Sequence, residues 1–233
     1  MAESASRTAR DRVRAELTAE IVAMARTHLI EQGSNGLSLR AVARDLGMAS
    51  SALYRYFPSR DALLTTLIID AYNAIGEACE AADASCDRGD LVGRWRAIAH
   101  AARDWAHAYP HEYALIYGTP VPGYHAPIDT IDPASRLTQL LLSLMADIDN
   151  AGKPVRVEAP LPLGLEGQLT ETLQRTGLNM SSGTLLAGIA AWTNLFGMIS
   201  FEVFGRFDTI FDDTDSLFAH QIDLAADTLG LLR

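Results

Sequence analysis

The chain has 233 residues, 48% hydrophobic and 21% charged, which is enough to bury a substantial core in one or two domains. Its net charge of −10 argues, on totals alone, against nucleic acid or an anionic membrane as a partner. The total conceals a division: residues 1–65 hold nine Arg and no Lys against seven acidic residues, a balance of +2, while the remainder is strongly acidic.

The two parts therefore face different partners. Cys79 and Cys86 are the only cysteines, too few for a disulfide framework in a chain of this length. The first thirty residues are polar and Arg-rich, with no apolar core of a signal peptide, so a cytoplasmic protein is expected.

Apolar residues recur with helical spacing from end to end and no period-two segment stands out, so the fold is expected to be all-α. The first helix is predicted from about Thr8 to Gln32, ending at Gly33 and Gly36. Ser38 is placed to cap a short helix carrying Leu39, Val42 and Leu46, which stops at Gly47. A third helix runs from Ala49 to Phe57 and is stopped by Pro58. Ser59 caps a long fourth helix, from about Arg60 to Ala82. After an acidic link, Leu91, Trp95, Ile98, Ala102, Trp105 and Tyr109 mark one helix face, followed by a short helix at about His111–Tyr117. Thr119–Pro133 has four prolines and no periodicity, reading as a long loop of the kind that often carries function. Leu137, Leu140, Leu141, Leu144 and Ile148 give another helix. An irregular segment, Gly152–Pro162, precedes a short helix ending near Gly177.

Between Leu178 and Gly205 the only charge is Glu202. The run from Leu185 to Phe201 is long enough to raise a membrane span, but it lacks an N-terminal cationic flank and contains Thr193, Asn194, Ser200 and glycines. A buried helix is the expected reading, with no membrane partner. A last helix carries Phe218, Ile222, Ala225, Leu229 and Leu232.

The segment Leu37–Leu64, LSLRAVARDLGMASSALYRYFPSRDALL, combines a short helix, a Gly-centred turn and a second short helix. These are the parts of a helix-turn-helix, whose second helix enters the DNA major groove. Ala49, Ser50, Ser51 and Ala52 are small enough for close approach to base edges, and Tyr54 and Tyr56 carry hydroxyls suited to phosphate. Arg40 can reach a guanine edge or a phosphate, and Arg60 adds a cation at a helix start. With Ser38, the candidate DNA-binding residues are Arg40, Ala49, Ser50, Ser51, Tyr54, Tyr56 and Arg60. Arg44 and Arg55 can equally be solvated or paired with Asp45 or Asp61. Arg7, Arg10, Arg12 and Arg14 form either a DNA-contacting arm or a merely soluble terminus.

This block resembles the DNA-binding domain of the tetracycline-repressor (TetR) family. The matching residues are Leu39, Val42, Ala43, Leu46, Gly47, Leu53, Tyr54, Tyr56, Phe57, Arg60, Leu63 and Leu64. Ala49 departs from the family's usual capping Ser or Thr, and Arg60 from its usual Lys. The segments DWAHAYPHEYALIYGTPVPGYHAP and AAWTNLFGMISFEVFG resemble those of a subgroup with a Trp- and Gly-containing regulatory domain. The resemblance implies a helix-turn-helix domain over residues 10–72 and a helical ligand-binding and dimerisation bundle over 73–233. It implies a homodimeric, ligand-responsive regulator, read as a repressor; the two-fold symmetry predicts a palindromic operator, and the aromatic surface around the long loop points to a small hydrophobic or aromatic effector. An activator on the same fold, or a small-molecule binding module without DNA recognition, are the alternatives.

Trp105, Tyr109, Tyr113, Tyr117 and Tyr124 gather aromatic surface around the long loop and are the candidate effector residues, although each alone also suits an ordinary core. For the dimer seam the spacing selects Leu185, Ile189, Trp192, Phe196, Ile199 and Val203 on one helix and Phe218, Ile222, Ala225 and Leu229 on the last. His107 and His111 sit four apart but Pro110 intervenes, and no carboxylate or thiol completes a metal site. No cofactor is expected. Phosphate-binding loops, nucleophile elbows and HExxH are all missing from the sequence, so no catalysis is indicated.

Overall fold

The computed structural model describes residues 2–153, 155–156 and 161–232, with side chains from residue 10 onward. Ten α-helices are present among them and no strand: α1 (Ala2–Gly36), α2 (Leu39–Asp45), α3 (Ser50–Leu53), α4 (Arg60–Ala84), α5 (Leu91–Ala108), α6 (Pro110–Tyr117), α7 (Ile131–Asn150), α8 (Leu163–Thr176), α9 (Ser182–Val203) and α10 (Thr214–Thr228).

The helix ends follow local chemistry. Within α1, Gly33 adopts φ 68° and breaks the helical path, as expected of a residue without Cβ. The Ser59 hydroxyl accepts from the Ala62 amide at 3.1 Å, satisfying one of the open donors of the first turn of α4. Gly177, at φ 69°, closes α8. The expected loop at Thr119–Pro133 is shorter than predicted, because a 3-10 turn forms at Ile128–Thr130 and α7 begins at Ile131. Pro133 lies in the first turn of α7, where its missing N–H breaks no helical bond. Of the irregular segment Gly152–Pro162, residues 154 and 157–160 lie outside the described residues.

The chain forms two compact units. The first joins the residues up to Tyr72 with Tyr109–Pro133, and the second joins Asn73–Ala108 with the residues from Ala134 onward. In the first, Ile21, Ala25, Val42, Ala43, Leu53, Leu63 and Leu64 are buried in a common core. Leu115, Ile116, Val121 and Tyr124 pack against that core, which draws α6 and its following loop into the helix-turn-helix unit. In the second, Trp95, Ile98, Leu144, Ile148, Leu195, Ile199 and Phe218 are buried. Burial at roughly 25 cal/mol per Å2 of apolar surface is the main stabilising term in both.

Candidate nucleic-acid interface

The turn between α2 and α3 is set by Gly47. Its φ of 65° lies in the left-handed region that glycine enters without strain. The Met48 amide donates to Ala43 O at 2.8 Å and the Gly47 amide to Arg44 O at 3.0 Å, closing α2 in a Schellman-type arrangement. Leu39, Val42 and Ala43 of α2 and Leu53 of α3 are buried, so both short helices are held by their inner faces. Only Ser50–Leu53 is regular α-helix. The expected extension to Phe57 is a tight turn, with the Tyr56 and Phe57 amides donating to Leu53 O.

On the outer face, Arg40, Ala49, Ser50, Ser51 and Tyr54 are exposed, and Ser38 and Tyr56 are half-buried. Arg40 stands four residues from Arg44 on α2, so both belong to one side of that helix. Ser38 occupies the N-cap position of α2 with extended backbone, yet its hydroxyl makes no capping bond, contrary to the expected cap. Ala49 holds the same position before α3, which also lacks a side-chain cap. Ser50 does not take over the role. Arg14 lies over the Tyr56 ring, 5.5 Å from its centroid, a cation–π contact that fixes both side chains beside α3. The Arg7 side chain lies outside the described residues.

Arg60 differs from the expectation of a free phosphate donor. Its Nε donates to Leu37 O at 3.1 Å and its Nη2 to Ser34 O at 2.7 Å, while Nη1 is 3.6 Å from Asp61. The guanidinium thus ties the start of α4 to the end of α1 and to Leu37 just after it. Arg55 is exposed, and Arg44 is paired with Asp45.

The aromatic candidates divide between the units. Tyr113 is fully buried, with Tyr117 tilted against it at 5.1 Å between ring centroids. Tyr72 of α4 meets Tyr117 edge-on at 6.2 Å and donates to Ile116 O. The Tyr124 and Thr65 hydroxyls are 2.9 Å apart. Burial and the neighbouring Tyr124 push the Tyr72 phenol above its usual range. Tyr109 is half-exposed, and Trp105 is buried in the second unit. The structure therefore gathers Tyr113, Tyr117 and Tyr124 and adds Tyr72 and Thr65, which sequence spacing did not single out.

The expected dimer seam also divides. Leu185, Ile199, Phe218, Ile222, Ala225 and Leu229 are buried within the single chain, so they form its core rather than a contact surface. Trp192, Phe196 and Val203 are half-buried, and Ile189 is exposed. The outward face of α9 consists of Ile189, Ala190, Thr193, Asn194, Gly197 and Phe201, one stripe at three- and four-residue spacing. By length and apolar content alone α9 could cross a membrane, but its inner face packs in the second unit. There Glu202 accepts from Arg103 Nε at 2.7 Å.

Among the described residues no group of three His, Cys, Asp or Glu side chains is arranged to hold a metal. Both cysteines are free thiols. Burial, reinforced by Glu80, pushes the Cys79 thiol up to about 12, leaving very little thiolate at neutral pH.

Comparison with known proteins agrees with this geometry. Residues 21–67 match the family described as "Bacterial regulatory proteins, tetR family", and residues 95–225 match "Tetracyclin repressor-like, C-terminal domain". The chain is 38% identical over 200 residues to the HTH-type transcriptional regulator Rv1816 of Mycobacterium tuberculosis, covering 83% of each chain. The same figures hold for the HTH-type transcriptional regulator Mb1846 of Mycobacterium bovis. Among solved structures, the regulatory protein SCO4313 superposes with TM-score 0.78 at 32% identity, covering 93% of this chain and 98% of the other. In fold alone, PfmR, a TetR-family regulator of Thermus thermophilus, is similar at TM-score 0.57 and 19% identity, over 91% of this chain and 99% of the other.

Proposed function

This chain belongs to the TetR family of DNA-binding transcriptional regulators and is not an enzyme, and from that premise we propose a cytoplasmic, homodimeric repressor that a small apolar or aromatic effector releases from a palindromic operator. The observation that carries the DNA contact is the outer face of α2 and α3. Arg40, Ser50 and Ser51 are exposed on helices whose inner residues are locked in a core, and Tyr54 is exposed immediately after α3. Small residues let the backbone approach base edges, Arg40 reads a guanine or holds a phosphate, and the tyrosine hydroxyls of Tyr54 and Tyr56 bond phosphate oxygens. Ser38 and Ala49 bring backbone N–H groups of helix starts toward the DNA.

The dimer is formed through the outward stripe of α9, with Ile189, Gly197 and Phe201, joined by the exposed Leu224 of α10. Two such helices from each subunit make an isologous four-helix contact. A two-fold protein places its two recognition helices about 34 Å apart, one turn of DNA, so the operator is palindromic. The effector occupies the aromatic group of the first unit, with Tyr72, Tyr117 and Tyr124 offering ring faces and the Thr65 and Tyr124 hydroxyls offering polar contacts. Trp105 and Tyr109 are left out of this site: one belongs to the second unit and the other is turned to solvent.

A gel-shift on the DNA upstream of its own gene tests the reading. Retarded DNA that is freed by small molecules carried through purification, with transcription from that DNA reduced by the protein, is the expected result. Retardation with increased transcription would replace repression by activation, and no retardation at low salt would remove the DNA contact. Because coupling is reciprocal, the effector should also bind more weakly when operator is present.

A further inference from the structure

The helix-turn-helix contains one buried polar side chain that packing alone does not explain. His28 of α1 is 2% exposed in a core otherwise apolar. Its Nε2 lies 2.8 Å from Asp45 Oδ2, and the other oxygen of that carboxylate, Oδ1, accepts from Arg44 Nε at 2.9 Å. A carboxylate only accepts, so His28 carries its proton on Nε2. The His28 Nδ1 is buried with no hydrogen-bond partner, which a neutral ring tolerates better than a stranded N–H donor. The direction of the chain of bonds is therefore fixed: His28 donates to Asp45, and Arg44 donates to the same carboxylate.

Arg44 is at the outer end of this chain, with its side chain 75% exposed. Only its Nε is engaged, so the two Nη groups are left to form the planar fork that suits a phosphate. It stands one helical turn beyond Arg40 on the same side of α2. Hydrogen bonds from Arg44 and His28 hold the Asp45 carboxyl below its usual range, so the carboxylate stays charged and keeps both donors. Without it, a long exposed arginine would have to be ordered when DNA binds, at a cost in side-chain entropy.

We propose that His28 is a positioning residue for DNA binding, which acts through Asp45 to hold Arg44 with its fork directed at a backbone phosphate. The inference rests on the DNA contact of α2 and α3 and adds to it a phosphate contact and the buried residue that orients it. Because a phosphate carries no sequence information, the effect is the same on any duplex.

The test measures anisotropy of a labelled 30-base-pair duplex of arbitrary sequence against salt, with thermal unfolding recorded for every variant. Arg44→Ala should weaken binding roughly tenfold at low salt and reduce the slope of log K against log salt by about 0.9, the release expected for one phosphate. His28→Leu fills the same space without a donor. It should weaken binding about threefold while leaving the melting temperature unchanged or higher. His28→Gln, whose amide nitrogen can reach Asp45, should restore wild-type affinity. In the Arg44→Ala background, His28→Leu should have no further effect.

A His28→Leu protein that binds like wild type overturns the relay, as does one that loses the same factor with and without Arg44. If His28→Leu does not fold, His28→Gln against Asp45→Asn decides: equal affinities for these two overturn the relay, and weaker binding by Asp45→Asn alone supports it. Failure of the wild-type protein itself to bind the duplex overturns the DNA contact, and the relay with it.

Discussion

The two units use the same residue, arginine, in opposite ways. In the first, Arg40 and Arg44 stand on the surface of α2 and Arg55 in the exposed turn after α3. In the second, Arg94 is completely buried and Arg103 nearly so. Arg94 donates from Nε to Asp83 at 2.7 Å and from Nη1 to Asp147 at 2.7 Å, and Arg103 binds Glu202 through two nitrogens while its guanidinium lies 4.7 Å from the Phe218 ring centroid. An outward arginine is available to a ligand, whereas a buried one is matched to carboxylates and closes the structure around itself. The aromatic residues keep the units experimentally apart. All seven tyrosines lie in the first and all three tryptophans, Trp95, Trp105 and Trp192, in the second.

The largest effect is expected from breaking the buried network. Arg94→Ala leaves Asp83, also buried, without its principal partner, and should cost about 3–5 kcal/mol. Urea unfolding followed by tryptophan fluorescence should show that loss. Arg94→Met combined with Asp83→Leu should recover most of it, since the charge is then removed with its partner. Acid should separate the units as well. Burial alone would raise the Asp83 carboxyl, but the hydrogen bonds from Arg94 and Arg88 and their charges outweigh it and leave it below the usual range. Its stabilisation is present above the unfolded carboxylate value and is lost as pH falls through that value toward the lower folded one.

Asp70 and Glu112, around Arg26 in the first unit, have the opposite sign. Burial raises both carboxyls despite the nearby arginine, so their ionised forms cost stability at neutral pH and protonation relieves that cost. On acidification the tryptophan signal should change at a higher pH than tyrosine absorbance. Coincident transitions would show that these carboxylates do not set the acid response.

The outward arginines should behave differently from the buried ones. Arg40→Ala should leave both unfolding transitions within about 0.5 kcal/mol of wild type and weaken operator binding by about 1–3 kcal/mol, with altered base preference if it reads a guanine edge. A uniform loss over all sequences, with a smaller salt slope, would make Arg40 a phosphate contact instead. A fall in stability comparable to that of Arg94→Ala would erase the contrast between the units.

What could be read from the sequence follows the same division. The helix-turn-helix was legible because its determinants are local: apolar spacing, a left-handed glycine at Gly47 and the hydroxyl of Ser59. The partner of Arg103 was not, since Glu202 is 99 residues away and a single sequence carries no pairing signal. Nor was the attachment of Tyr109–Pro133 to the first unit, which depends on Tyr124 reaching Thr65 and on Leu115 and Ile116 packing on a distant core. Helix α9 misled for a different reason. It is apolar nearly all round, so periodicity marked Leu185 and Ile199 as a seam when they face inward, while the outward stripe sets Ile189 and Phe201 among Ala190, Thr193, Asn194 and Gly197. The backbone acceptors of Arg60 were not legible either, because Ser34 and Leu37 meet it through the way the chain turns after Gly33.

The smallest effect tests how far local chemistry governs the first unit. Helix α3 has four residues, and neither Ala49 nor Ser50 caps it with a side chain, so no side chain satisfies the amide donors of its first turn. Ala49 has φ −64° and ψ 135°, the extended backbone from which a Thr or Ser hydroxyl reaches the N2 or N3 amide. Ala49→Thr should therefore stabilise the first unit by about 0.5–1 kcal/mol, seen as a higher urea midpoint in tyrosine absorbance with the tryptophan transition unmoved. The capping oxygen would then be engaged at the helix start that the DNA approaches, and the added bulk would stand beside Ser50 and Ser51. If stability rises while operator affinity falls, the missing cap is a concession to close approach of the DNA. If both rise, Ala49 has no special part in recognition, and the contact rests on Ser50, Ser51 and Arg40.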